Sequence, residues 1–198
     1  MRVLGLDPGS RRTGIGVVEK SGHTYRCVHH GFAAAPAKAP LPARLLAIAT
    51  RVGEIMDAHA PDCVVVEEAF YHESVRSTLV LGHVRGALLL AAMERGLEVA
   101  EYTPREIKMS VTGSGGATKD QVAFMVRRIL ALNGALQSDA ADALAVALCH
   151  HHRVRRQAPA REASAAARKL AALLERRAGR PRTAEWLLAR AGRARKRA

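Results

Sequence analysis

No stretch of this 198-residue chain approaches the roughly 20 consecutive apolar residues that a membrane span needs. The N-terminus also lacks the basic start, apolar stretch and small-residue cleavage site of a secretory leader. A cytoplasmic protein without a membrane partner is the expectation. Cysteine is scarce as well: Cys27, Cys63 and Cys149 stand alone, without the paired spacing of a metal knuckle or the density of a disulfide framework. They read as reduced, structural thiols. A phosphate loop is missing too, because that motif needs glycine directly before lysine and the Gly-rich segment 112–119 ends Thr118-Lys119.

What the chain has in excess is positive charge, and its placement is uneven. The formal net charge is +13, of which residues 153–198 carry +12, with 15 Lys or Arg against Glu162, Glu175 and Glu185. The body is near neutral and the tail is basic. Such an extension is suited to polyanions, since Lys and Arg release counterions when they meet phosphates. Two domains are therefore expected: an α/β body over residues 1–155, and a basic, Ala/Arg-rich extension over 156–198, helical in part or disordered. Residues 170–174 and 186–188 hint at short amphipathic helices there. His150, His151 and His152 read as solvated surface at a frayed helix end.

Hydrophobic patterning orders the body. Residues 1–6 are apolar on both faces, as in a strand covered on both sides, and end on Asp7 before the turn Pro8-Gly9-Ser10. Residues 13–18 and 24–32 predict two further antiparallel strands. A helix over 42–59 is predicted from Leu45, Ile48, Val52 and Ile55. The run Cys63-Val64-Val65-Val66 predicts a short buried strand, parallel to the first because a helical crossover leads to it, and it ends on Glu67 and Glu68. A long helix over 75–95 carries Gly82 and Gly86, suited to close packing in a core or at a subunit interface. A strand over 97–102 follows. Thr103-Pro104-Arg105-Glu106 and Thr118 with Gln121 read as capping boxes that open two more helices, the second running to about Leu132. Ser138 then caps a last helix over 139–150.

The acids carry the chemistry. An ionised carboxylate at the end of a buried strand costs several kcal/mol in lost hydration unless a cation or strong donors meet it. Asp7 and Glu67 both stand in that position. Asp139 and Asp142 lie three residues apart, hence on one helix face, and the alanines around them allow that helix to approach the sheet. Each acid alone has a structural explanation as a turn, strand-end or helix-dipole residue. Together they suit divalent cations, and a donor set without His or Cys favours Mg²⁺ or Mn²⁺ over zinc. Two such ions about 4 Å apart can activate water and stabilise the leaving oxygen of a phosphodiester.

The segments 4–14, 66–70 and 138–145 match three motifs in order. By them, residues 1–152 closely resemble the RuvC family of Holliday junction resolvases. The resemblance implies a ribonuclease H-like α/β fold, with a five-stranded mixed sheet flanked by helices. It also implies a homodimer and metal-dependent, symmetric nicking of four-way junction DNA in recombination and repair. The family's metal-binding and catalytic acids fall on Asp7, Glu67, Asp139 and Asp142, its basic positions on Lys108 and Lys119, and its stacking aromatic on Phe70. Lys119 is expected to stabilise phosphate charge, and Arg76 is a further expected DNA contact. Glu68 stands where the family often has Gln, and strand parity alone leaves open which of Glu67 and Glu68 points inward. A branch-migration motor, RuvA–RuvB, is a partner the family implies. Two rival readings are an actin-like or sugar-kinase-like ATPase, for which the chain is short, and a non-catalytic DNA-binding module.

Overall fold

A computed structural model of the chain describes residues 1–68 and 74–157, with side chains through 154. Five strands form one mixed sheet: β1 (Arg2–Asp7), β2 (Arg12–Ser21), β3 (Thr24–Ala34), β4 (Cys63–Glu67) and β5 (Glu98–Tyr102), in the order β3-β2-β1-β4-β5. β1, β2 and β3 are antiparallel neighbours, whereas β4 runs parallel to β1 and β5 parallel to β4. The helices are α1 (Leu41–His59), α2 (Val75–Met93), α3 (Pro104–Thr112), α4 (Lys119–Ile129) and α5 (Ser138–Gln157).

Alternation along the central strands sorts the core into two layers. Leu4, Leu6, Val64 and Val66 face α1 and α2, where they meet Ile48, Val52, Val84 and Leu88. Val3, Val18 and Val65 face α3, α4 and α5 on the opposite side. Asp7 lies two and four residues beyond Gly5 and Val3, and Glu67 two beyond Val65, so both acids belong to the α5 face. That settles the choice between Glu67 and Glu68: Glu68 has left the strand, its N–H donating to the Tyr102 carbonyl.

Both capping boxes form. The Thr103 side chain accepts from the Glu106 N–H and the Thr118 side chain from the Gln121 N–H, with each reciprocal bond in place. α4 stops at Ile129, three residues early.

α2 is long and apolar enough, by length and composition alone, to cross a membrane, a test that the core helix of a soluble protein also passes. In this fold α2 buries Val84, Leu88, Ala91 and Ala92 against the body, and Arg85 pairs with Glu101 at 2.5 Å. One expectation needs correction: the histidines are not a solvated helix end, since α5 continues to Gln157. His151 is 1% exposed and donates from Nε2 to the Val18 carbonyl at 3.0 Å. His150 lies between the Tyr102 hydroxyl at 3.0 Å and the Cys63 thiol at 3.5 Å. The three imidazoles are spacers between α5, the sheet and α3, where an amphipathic ring fits better than an aliphatic chain. The helices suggested within the basic extension lie outside the described residues.

Candidate active site

Strand register brings the first two acids together. Leu6 pairs with Val66 in the parallel β1–β4 ladder, so the next residue of each strand, Asp7 and Glu67, stands at the same edge of the sheet. Both line the same cleft, and each perturbs the other's ionisation. The Asp7 carboxyl is pushed up to about 8, first by burial and then by the charges of Glu67 and Asp142, against a smaller opposing pull from Lys119. Glu67 is raised as well, chiefly by burial. Burial and mutual repulsion therefore disfavour full ionisation of the pair.

The turn after Asp7 is built around two residues. Buried Thr13 donates through Oγ1 to the Gly9 carbonyl at 3.1 Å. A Cβ on Gly9 would stand 2.0 Å from the Arg12 carbonyl oxygen, so only glycine fits there.

Asp142 arrives on α5, and glycines on the sheet determine where that helix rests. A Cβ on Gly5 would lie 2.1 Å from the Ala143 carbonyl oxygen; one on Gly14, 2.0 Å from that of Asp139; one on Gly16, 2.6 Å from the Leu144 nitrogen. Gly5 pairs with Gly16, and Asp7 with Gly14. Backbone therefore lies directly on backbone, and the α5 alanines are matched by this glycine seat, which patterning alone did not reveal.

The resulting cleft of about 210 Å³ is lined by acids Asp7, Glu67 and Asp142, by Lys108 of α3 and Lys119 of α4, and by apolar walls that include Ile107 and Val122. Lys119 Nζ is 3.2 Å from Asp142 Oδ2. Its pKa is raised, first by Asp142. The Lys119 side chain is 77% exposed against 20% for Asp142, so the ammonium can move while the carboxylate is held.

Asp139 stands apart. It lies one turn before Asp142 on α5, half-buried, with its main-chain oxygen against Gly14 and its carboxylate outside the lining of the cleft. Phe70 lies outside the described residues. Arg76 is not at the acidic cleft; it lines a second one of about 640 Å³ with Arg11 and Arg44. The latter two were missed from sequence: Arg11 carries only the signal of following the Asp7 turn, and Arg44 none short of tertiary structure.

The donors fit a hard cation. Among the described residues no three acidic, His or Cys side chains form a ready-made metal cage, but Asp7, Glu67 and Asp142 offer only carboxylate oxygens. Mg²⁺ is bound in this way, by few protein carboxylates with water and substrate phosphate completing the shell. A dication would also offset the ionisation penalty of Asp7 and Glu67, because its charge lets both acids ionise.

Comparison with known proteins is consistent along the body. The family described as "Crossover junction endodeoxyribonuclease RuvC" matches residues 3–150. The RuvC of Alkalilimnicola ehrlichii is 47% identical over 164 residues, covering 83% of this chain and 99% of that protein. That of Halorhodospira halophila is 46% identical over 168 residues, covering 85% and 99%. Among solved structures, T. thermophilus RuvC in complex with a Holliday junction substrate superposes with a TM-score of 0.75 at 38% identity, covering 79% of this chain and 96% of that one. The yeast mitochondrial Holliday junction resolvase Ydc2, at 13% identity and a TM-score of 0.54, shares the fold.

Proposed function

The chain belongs to the RuvC family of crossover junction endodeoxyribonucleases, and on that premise we propose that the cleft of Asp7, Glu67 and Asp142 hydrolyses phosphodiesters of four-way junction DNA with Mg²⁺ as cofactor. The protein is a Holliday junction resolvase acting in recombination and repair. The observation that carries the chemical assignment is the convergence of Asp7, Glu67 and Asp142 with Lys108 and Lys119 in one cleft. A core gains nothing from such a cluster of acids, whereas a cation site requires one.

Asp7, Glu67 and Asp142 are the residues to hold Mg²⁺ or Mn²⁺, with Asp139 completing the set from the rim. When bound, two such ions would supply an activated water and stabilisation of the leaving 3′ oxygen, giving a 5′ phosphate. The chain's own part is to place charge. Asp7 and Glu67 are fixed by strand register and Asp142 by the glycine seat, so the acids need little reorganisation during the reaction. Lys108 and Lys119 set two ammonium groups where the non-bridging phosphate oxygens must lie. Lys119 exchanges Asp142 for phosphate as substrate enters, at small entropic cost from its exposed position. The apolar walls exclude water and strengthen these interactions.

Symmetric nicking needs two sites. α2 leaves Leu79, Leu90 and Met93 exposed, and the space around Gly82 and Gly86 is open. These residues recur along one side of the helix, a surface suited to an isologous homodimer that presents two cleavage centres to the two equivalent strands of a junction. Residues 1–155 form the nuclease domain in this reading, and the extension 156–198 adds grip on DNA without contributing to chemistry. Phe70 stacks on an unpaired base, and RuvA–RuvB is the branch-migration partner of this cytoplasmic enzyme.

Labelled four-way junction, linear duplex and a nucleoside triphosphate, each with and without Mg²⁺, test the assignment. Paired symmetric nicks in the junction alone are expected. Triphosphate hydrolysis, or junction binding without nicks, overturns it.

A further inference from the structure

The second cleft has the opposite chemistry from the first. Three guanidiniums, from Arg11, Arg44 and Arg76, line it with the hydroxyl residues Ser10 and Ser77, and no acid is among its described lining residues. Arg11 and Arg76 are exposed, and neither has an acidic partner among the described residues. Arg44 is half-buried and donates from Nε at 3.0 Å, and from Nη2, to the Ser10 carbonyl. It ties α1 to the Asp7 turn, and of its five N–H donors about three remain. Gathering like charges around one cavity is unfavourable unless an anion comes to meet them, and the guanidinium fork matches a phosphate's oxygens.

Position says which phosphate. The cleft is walled by α1 and α2, on the face of the sheet opposite the acidic cleft, and the Asp7–Arg12 turn joins the two. Arg11 is four residues from Asp7, so their Cα atoms are at most about 14 Å apart. A DNA strand with its cleaved phosphate at Asp7 has its neighbouring phosphates within that reach. We infer that Arg11, Arg44 and Arg76 form a second phosphodiester subsite, which holds the continuation of the cleaved strand as it crosses the turn to the other face of the sheet. The subsite rests on the nuclease reading above and extends it: it positions the strand without reading sequence, as phosphate contacts do.

Arg11→Gln and Arg76→Gln in the full chain, with Arg11→Lys as the charge-retaining control, test it by junction binding across a salt series. Each Gln variant is expected to bind about tenfold more weakly at fixed salt, and its plot of log affinity against log salt flattens by about one phosphate's worth, 0.9 in slope. Arg11→Lys restores the slope. The double Gln variant flattens it by less than the two single effects together, because the guanidiniums share a phosphate. Wild-type slopes in both single Gln variants overturn the subsite, and fully additive flattening overturns the sharing. Junction nicking by the wild-type chain in the same preparations separates these outcomes: its absence sinks the nuclease reading, while its presence with unchanged slopes sinks only the subsite. Both side chains are exposed, and should one variant unfold, the other carries the measurement.

Discussion

Replacing Asp7 by Asn is expected to make the metal-free protein more stable while destroying its activity. The Asp7 carboxyl titrates near 8 in the fold against 3.8 ordinarily. Its folded pKa is raised, so the folded state binds a proton more tightly than the unfolded one. The associated stability is fully present below about pH 4 and is lost as pH rises toward 8. Taken at face value, a shift of about four units is worth about 5 kcal/mol. Because Asp7 titrates together with Glu67, the cost is discounted for that coupling to roughly 2–3 kcal/mol. For a body of this size the Asn variant should melt about 5–10 °C higher than wild type at pH 9 with a chelator present. At pH 5 the difference should shrink toward zero, because the wild-type acid is then protonated and nearly isosteric with the amide. Saturating Mg²⁺ should raise the wild-type midpoint and leave the variant behind. Thermal unfolding at both pH values, with and without Mg²⁺, measures all of this. Equal midpoints at pH 9, or the same advantage at both pH values, would refute the reasoning that this acid is held at a cost for a cation.

Other perturbations bear on separate parts of the molecule. Burial lowers the His151 pKa from 6.5 to about 4, so its stability contribution is present above pH 6.5 and declines as pH falls toward 4, by about 2–3 kcal/mol; denaturant titrations of wild type and His151→Asn should diverge above pH 6.5 and converge below it. Gly16→Ala would push a methyl to 2.6 Å from the Leu144 nitrogen, an overpacking cost of about 1–3 kcal/mol, and cleavage should fall more than junction binding because Asp142 moves with α5; a variant as stable and active as wild type would show that α5 is not seated by contact. Truncation after Arg156 should weaken DNA binding and flatten its salt dependence while cleavage persists, whereas an unchanged slope would mean that the extension does not touch phosphate.

Much of the site was legible because its signals are local. Asp7 and Glu67 each close an apolar run, and Asp139-Ala140-Ala141-Asp142 is spaced for one helix face. Strand parity did not decide between Glu67 and Glu68, since β4 is apolar on both faces and carries no alternation to mark its inward side; the family resemblance favoured Glu67, and the register with β1 places it beside Asp7. The histidines of α5 were misjudged for a related reason. Polarity suggests solvent, but the end of α5 lies under Tyr102, Ser110 and the Val18 carbonyl, partners far away in sequence. Asp139 shows the limit of spacing: it shares a face with Asp142, yet its position in the first turn leaves it on the rim. Arg44 acquires its role only when α1 is packed against the Asp7 turn.

The contact between α5 and the sheet bears on how tolerant this enzyme can be of motion. Side chains that pack on side chains can shift among rotamers and absorb small displacements, so groups they support inherit some play. Where Gly5, Gly14 and Gly16 meet α5, the touching atoms are main-chain atoms without rotamers. The distance from the strand that bears Asp7 to the helix that bears Asp142 is thus a mechanical stop, set by the thickness of two backbones. Substrate and ions can come and go, and Lys119 can swing, against acids whose separation does not drift.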